Sequence, residues 1–351
     1  MTSLERVATT LQFKEPDRVP VYPIMSGVSR KLINASYYDF ARNPKITAEA
    51  LIASNEKLGL DVFCTLTDLS VEAADFGQEL IYPETEAAYP SHTNRLIKDL
   101  SDYSKIEPIS LNNAPRMNEH VELCDILMKQ KGKEVPVVAF VFGPLGILSM
   151  LRNQADLYLD ILDDPDAVKK ATAAINKTLI DYCDKLIETG VHAIMFDTLF
   201  ASKSIMSKSM WMEFEGGFVK ELAKHVHSKG AMVMIHNCGN GIYFDVQIET
   251  MKPEAISFLH IPDDCTSFAD CKAKYGKTTT LIGRVPPTWL PSATYDEVVA
   301  ESKLEIDTFA KGGGYILATG CEYPANLDLS KAEAMADTAK TYGLYSEINK
   351  R

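Results

Sequence analysis

The chain has 351 residues, 46% of them hydrophobic, enough for one large core or two ordinary ones. A formal net charge of −12 and a pI near 5.1 give no field that would gather phosphate backbones or anionic lipid, so nucleic-acid and membrane surfaces are set aside as partners. The seven cysteines are odd in number and scattered through a large chain, which does not describe a disulfide framework; reduced thiols in a cytoplasmic enzyme are expected.

The first segment, "MTSLERVATTLQFKEPDRVP", has neither a basic start nor an apolar stretch of leader type, and no later run is long enough to span a bilayer. It is expected to form a helical extension ahead of the first strand. Eight short apolar runs then follow in order. They are "RVPVYPIM" (18–25), "DVFCTLTD" (61–68), "VPVVAFVFGP" (135–144), "HAIMFDT" (192–198), "AMVMIHNCG" (231–239), "AISFLH" (255–260), "TTLIGRVPP" (279–287) and "GYILATGC" (314–321). Stretches of helical period separate them, such as "DDPDAVKKATAAINKTLIDYCDKLIETG", which opens on an Asp-Pro-Asp capping signal and closes on glycine.

Eight βα repeats close naturally into a (β/α)8 barrel. An open doubly wound sheet is the rival, but no glycine-rich phosphate fingerprint follows any strand, and "KGGGY" precedes one. No composition shift marks a second domain, so residues 1–351 are read as a single TIM-barrel domain. Residues 78–115 fit the alternation poorly, being rich in Pro, Tyr, Ser and Asn, and read as a lid or excursion at the barrel mouth.

In such a barrel the chemistry lies where strands run out into βα loops. The polar residues there are Asp68, Asp197, His236, Cys238, His260, Arg284 and Cys321. His236 and Cys238 are one residue apart in an extended segment, so their side chains point the same way, and Cys321 ends the last strand. One imidazole and two thiolates are borderline-soft donors that suit Zn²⁺, and three protein ligands leave a fourth position for a reactant. The alternative is a satisfied core histidine with two small buried thiols.

Other candidates carry less. Cys265 and Cys271 lie in an amphipathic helix pattern and read as structural, and His225 and His227 fall in the last turn of a helix. Trp211, with Met210, Met212 and Phe214, reads as helix packing. Asp197 is open between a catalytic acid, a fourth zinc ligand, a support for His236 and a helix cap. Arg284 either binds a substrate anion or pairs with an acidic neighbour, and His260 is a further substrate-binding candidate.

The opening "LERVATTLQFKEPDRVPV", the barrel order, and "HNCG" paired with "ATGCEYP" resemble the uroporphyrinogen decarboxylase superfamily, in particular its cobalamin-dependent methyltransferases. The likeness runs nearly end to end. It implies zinc on His236, Cys238 and Cys321, an acidic residue at Asp197, and methyl transfer between a methylated corrinoid and a small substrate, often the thiol coenzyme M. The decarboxylase branch fits less well, because its Arg-Gln-Ala-Gly-Arg motif is here "IMSGVSR" and its late Gly-His is Gly320-Cys321. Asp68, in "CTLTDLS", falls where decarboxylases keep an aspartate against pyrrole nitrogens; it is equally readable as lining a tetrapyrrole mouth or as a turn cap.

A small thiol is the expected methyl acceptor, with demethylation of a methyl ether onto Co(I) corrinoid and decarboxylation as alternatives. The chain has no Asp-x-His-x-x-Gly cobalamin-carrier motif, so the corrinoid is expected on a partner protein. The oligomeric state is left open between monomer and homodimer.

Overall fold

Alternating apolar runs and capped amphipathic segments give the chain two kinds of element, and a computed structural model describing Met1–Arg351 shows how they assemble. Eight parallel strands form one sheet: β1 (Val21–Ile24), β2 (Phe63–Cys64), β3 (Val137–Phe142), β4 (Ala193–Asp197), β5 (Met232–Asn237), β6 (Ala255–Phe258), β7 (Thr280–Val285) and β8 (Tyr315–Glu322). Their order around the sheet is β1, β8, β7, β6, β5, β4, β3, β2. Each expected run matches one strand, the last strand reaching one residue past its run to Glu322, and helices fill the intervals. This is a (β/α)8 TIM barrel, nearly closed.

Between β1 and β2 no ladder forms; the Asp61 N–H donates to Val21 O at 2.9 Å across that seam. Side chains secure it further. The Asp61 carboxylate, 0% exposed, receives Arg6 and Arg18, each at 2.7 Å, and the Val21 N–H at 2.8 Å.

Arg6 belongs to the N-terminal helix Ser3–Leu11, whose Thr2 and Glu5 form a reciprocal capping box. Val7 and Leu11 of that helix line a small void with Val62, Pro136 and Met232 at the strands' N-terminal ends. The expected helical extension therefore closes the bottom of the barrel, leaving the opposite end for chemistry.

One continuous core of 93 buried residues runs through barrel and helices, with a satellite of four around Tyr37 and Phe40. Residues 78–115 contain a short antiparallel pairing of Leu80–Ile81 with Tyr89–Pro90 and two 3₁₀ turns, Leu100–Lys105 and Leu111–Asn113. No helix is long and apolar enough to cross a membrane.

Two local devices shape the mouth. On β1 the register advances from Tyr22 to Ile24 while on β8 it advances from Ala318 to Glu322, a bulge that re-aims the end of β8. Gly320 within it lies so close to β6 that an added Cβ would stand 2.9 Å from Leu259 Cα. Glycine is required for that approach.

Candidate metal centre

β5 delivers His236 at its end, and the loop that follows is fixed by its neighbour. Asn237 is buried and donates to Thr198 O at 2.7 Å and Ala201 O at 3.2 Å, while its Oδ1 accepts from the Gly239 N–H at 2.9 Å. A Cβ on Gly239 would sit 2.3 Å from Ser202 Oγ, so the turn closes only with glycine. Cys238 is thereby held between two fixed residues, and the bulged end of β8 supplies Cys321.

The donor atoms of His236, Cys238 and Cys321 all lie within 4.8 Å of one another. His236 is buried and the two cysteines are partly so. Nitrogen plus two sulfurs at this separation fit a tetrahedral zinc site of three protein ligands. His236 Nδ1 lies 3.0 Å from Ser257 Oγ, on the strand that pairs with it in register. With Nδ1 donating to that hydroxyl, Nε2 keeps its lone pair for a ligand bond.

The electrostatics of the metal-free trio divide its protons unevenly, with Cys321 the one donor shifted toward its deprotonated form. Burial disfavours a charged His236, yet contact with Cys321 outweighs it and raises the ring above its usual value. Hydrogen bonds from Cys238 and His236 hold the Cys321 thiol well below the ordinary range, while Cys238 is pushed up by the same contact and by burial.

Asp197 pairs with His236 in the β4/β5 register, but its carboxylate does not join the three donors. Oδ1 accepts the Leu199 N–H at 3.0 Å, a turn cap. Burial pushes this acid up to about 6, with the His236 ring pulling the other way and Cys321 assisting.

The remaining candidates separate from the trio. Asp68 is ion-paired with buried Arg116 and caps the Ser70 N–H at 2.8 Å, so of its readings the turn cap is the one the structure displays. Arg284 contacts Glu305 at 2.8 Å and Glu301 at 3.2 Å and lies 4.0 Å over the Phe268 ring. The guanidinium is matched by two carboxylates of the helix Tyr295–Phe309. His260 is exposed just beyond β6, and no hydrogen bond holds its ring.

Cys271 is buried and Cys265 half-buried, and neither is in the metal cluster. His225 and His227 each face a carboxylate, Asp184 at 2.8 Å and Glu254 at 3.3 Å, a pairing beyond the helix dipole. Trp211 is buried as expected, and its Nε1 donates to buried Glu215 at 2.8 Å.

Sequence reasoning passed over Ser257 and Glu322. Ser257 carries no motif and is found only through strand register. Glu322 was in view as the residue after Cys321 in "GCEYP". Burial pushes its acid up to about 7, against the Gly27 N–H that it accepts at 3.3 Å. It borders a cleft of about 490 Å³ that includes Tyr37, Glu86, Ala87 and Asn326.

The family model described as uroporphyrinogen decarboxylase (URO-D) matches residues 2–342. The chain belongs to the URO-D family. Within this family it is similar to the methylcobamide:CoM methyltransferase MtaA of Methanosarcina barkeri, at 24% identity over 96% of this chain and 97% of that protein. It is also similar to a uroporphyrinogen decarboxylase of Wolinella succinogenes, at 23% identity over 81% of this chain and 82% of that protein. Among solved structures, a methyltransferase from Methanosarcina mazei superposes with a TM-score of 0.82 at 21% identity, covering 97% of this chain and 99% of that one. That likeness establishes the fold shared across the URO-D barrel.

Proposed function

We propose that this protein is a zinc-dependent methyltransferase that moves a methyl group between a corrinoid on a partner protein and a small thiol. The observation that carries the reading is the convergence of His236, Cys238 and Cys321 at the C-terminal ends of barrel strands. MtaA, similar over nearly the whole chain, is named for methylcobamide and CoM, which supports the same chemistry here.

Zinc held by these donors supplies the positive charge that keeps a substrate thiol deprotonated near neutral pH, where a free thiol, pKa about 8.5, is largely protonated. The chain's residues do the rest. His236, Cys238 and Cys321 set the position of the sulfur, Ser257 fixes the imidazole tautomer, and Asp197 balances charge on the imidazole side. At the barrel mouth these residues would hold the thiol where a methyl group can be presented to it away from bulk water. A bound methylcorrinoid would supply the methyl group, the C–Co electron pair staying with cobalt as the thiol's S–C bond forms, so that the chain need provide no acid or base at the carbon.

The decarboxylase alternative receives less support, because Asp68 is committed to Arg116 and "IMSGVSR" offers one arginine for a many-carboxylate substrate. The test is methylcobalamin plus small thiols with the zinc-loaded protein. Conversion to cob(I)alamin and a thioether, followed in the visible spectrum, is expected; absence of turnover across thiols would overturn the thiol reading.

A further inference from the structure

The helix Pro144–Arg152 starts where β3 ends, and its N-cap, Gly143, has no side chain to meet the free N–H groups of the first turn. The acceptor comes from elsewhere. Glu215, 1% exposed, takes the Leu145 N–H at 3.1 Å on Oε1 and the Trp211 Nε1–H at 2.8 Å on Oε2. No cation pairs with it; the nearby Lys169 meets Glu213 instead, at 2.6 Å. This buried carboxylate is therefore stabilised by a helix N-terminus and an indole. Glu215 also lies in a π turn, Met212–Gly216, set between the α-helical stretches Lys208–Trp211 and Gly217–Ser228. Single π turns of this kind recur at functional sites.

From Glu215 a chain of contacts leads to the metal ligands. A Cβ on Gly143 would lie 2.6 Å from Glu215 Oε1 and 2.7 Å from Asp197 O, so the glycine is held between the two, and its N–H donates to Asp197 O at 2.8 Å. Thr198, the next residue, gives its N–H to His236 O at 3.1 Å, and its carbonyl accepts from Asn237 Nδ2 at 2.7 Å. Asn237 in turn holds the Gly239 N–H, with Cys238 between them. Two of the three donors are thus tied to the turn that Glu215 caps.

We infer that Glu215 is a positioning residue of the metal centre: by capping the helix Pro144–Arg152 it fixes Gly143 against Asp197, and through Thr198 it sets the backbone that presents His236 and Cys238. Without the carboxylate the first helical turn loses its acceptor, and the end of β4 is free to shift against β5. A site of this kind tolerates displacements of only about 0.5 Å, so a small shift is enough to spoil the donor geometry. The inference rests on the metal-site reading, because Glu215 touches no donor itself.

The test compares the parent with Glu215→Ala, Glu215→Gln and Asp61→Asn, the last a destabilising control at the β1/β2 seam. Zinc affinity is read by competition with a chromophoric chelator, and donor geometry by the visible absorption bands of the Co²⁺-loaded protein. Glu215→Ala is expected to lower zinc affinity about tenfold and shift the cobalt bands, and Glu215→Gln, which keeps an acceptor for one of the two donors, to lose about threefold. Asp61→Asn should melt earlier yet keep the parental affinity and bands. Zinc affinity within about twofold of the parent together with parental bands in Glu215→Ala, or in Glu215→Gln should the alanine variant not fold, would overturn the inference. An equal loss of affinity in Asp61→Asn would overturn it too, by showing that general destabilisation suffices. A parent protein that takes up neither metal would instead sink the metal-site reading itself.

Discussion

Ser257→Ala tests whether the metal centre depends on a residue that donates nothing to the ion. In the folded protein His236 Nδ1 has Ser257 Oγ at 3.0 Å, and the site is buried enough that water does not readily replace the hydroxyl. Removing it leaves a buried N–H unsatisfied and frees the ring to choose the other tautomer or rotate. An orphaned buried donor costs about 1–3 kcal/mol, which is roughly ten- to a hundredfold in zinc affinity. The assay is competition for zinc against a chromophoric chelator at fixed pH, with thermal unfolding of the metal-free protein measured alongside to separate site loss from general destabilisation. A variant that folds normally and holds zinc within about threefold of the parent would refute the argument that the hydroxyl orients the imidazole.

Cys238→Ser and Cys321→Ser should each lower the metal content from about one zinc per chain to near none in elemental analysis, and full activity of a metal-free preparation would end the zinc mechanism. Arg284→Ala should leave KM unchanged while lowering unfolding stability by about 1–3 kcal/mol in a denaturant titration, since it strips buried Glu305 of its cation. Asp61→Asn should cost about 3–5 kcal/mol by the same measurement, because Arg6 and Arg18 both lose their charge partner at the β1/β2 seam. Glu72 is buried, accepts the Phe142 N–H at 3.1 Å, and is pushed up by burial to about 7 from an ordinary 4.5. The fold therefore prefers the neutral acid; this contribution is complete below pH 4.5 and is lost as pH rises to about 7, so Glu72→Gln should flatten the stability profile across that window by about 3 kcal/mol.

The barrel could be read from the sequence because every strand is an apolar run bounded by turn residues, and such runs are local. Their ends were less certain: of the run 61–68 only Phe63–Cys64 pair with β3, the Phe63 and Thr65 N–H groups donating to Pro136 O and Val138 O, while the side chains of Asp61 and Thr65 are held by arginines and by buried His120. His236 and Cys238 declared themselves through a two-residue spacing in one extended run. Ser257 and the Asp68–Arg116 pair could not, because each depends on which segments neighbour one another in space. Arg284 lies in the same kind of position as the donors, yet its side chain reaches the helix carrying Glu301 and Glu305; strand position alone does not specify that direction.

His236 lies on β5 and Cys238 just past its end, and Cys321 is on β8, with β6 and β7 between them in the wall. Any ion shared by these donors is a strut across three of the barrel's eight strand intervals, closing positions 236 to 321 into a continuous ring. Its binding energy is then inseparable from the rigidity of that arc. A melting temperature for this protein has meaning only when the free concentration of the metal is stated beside it.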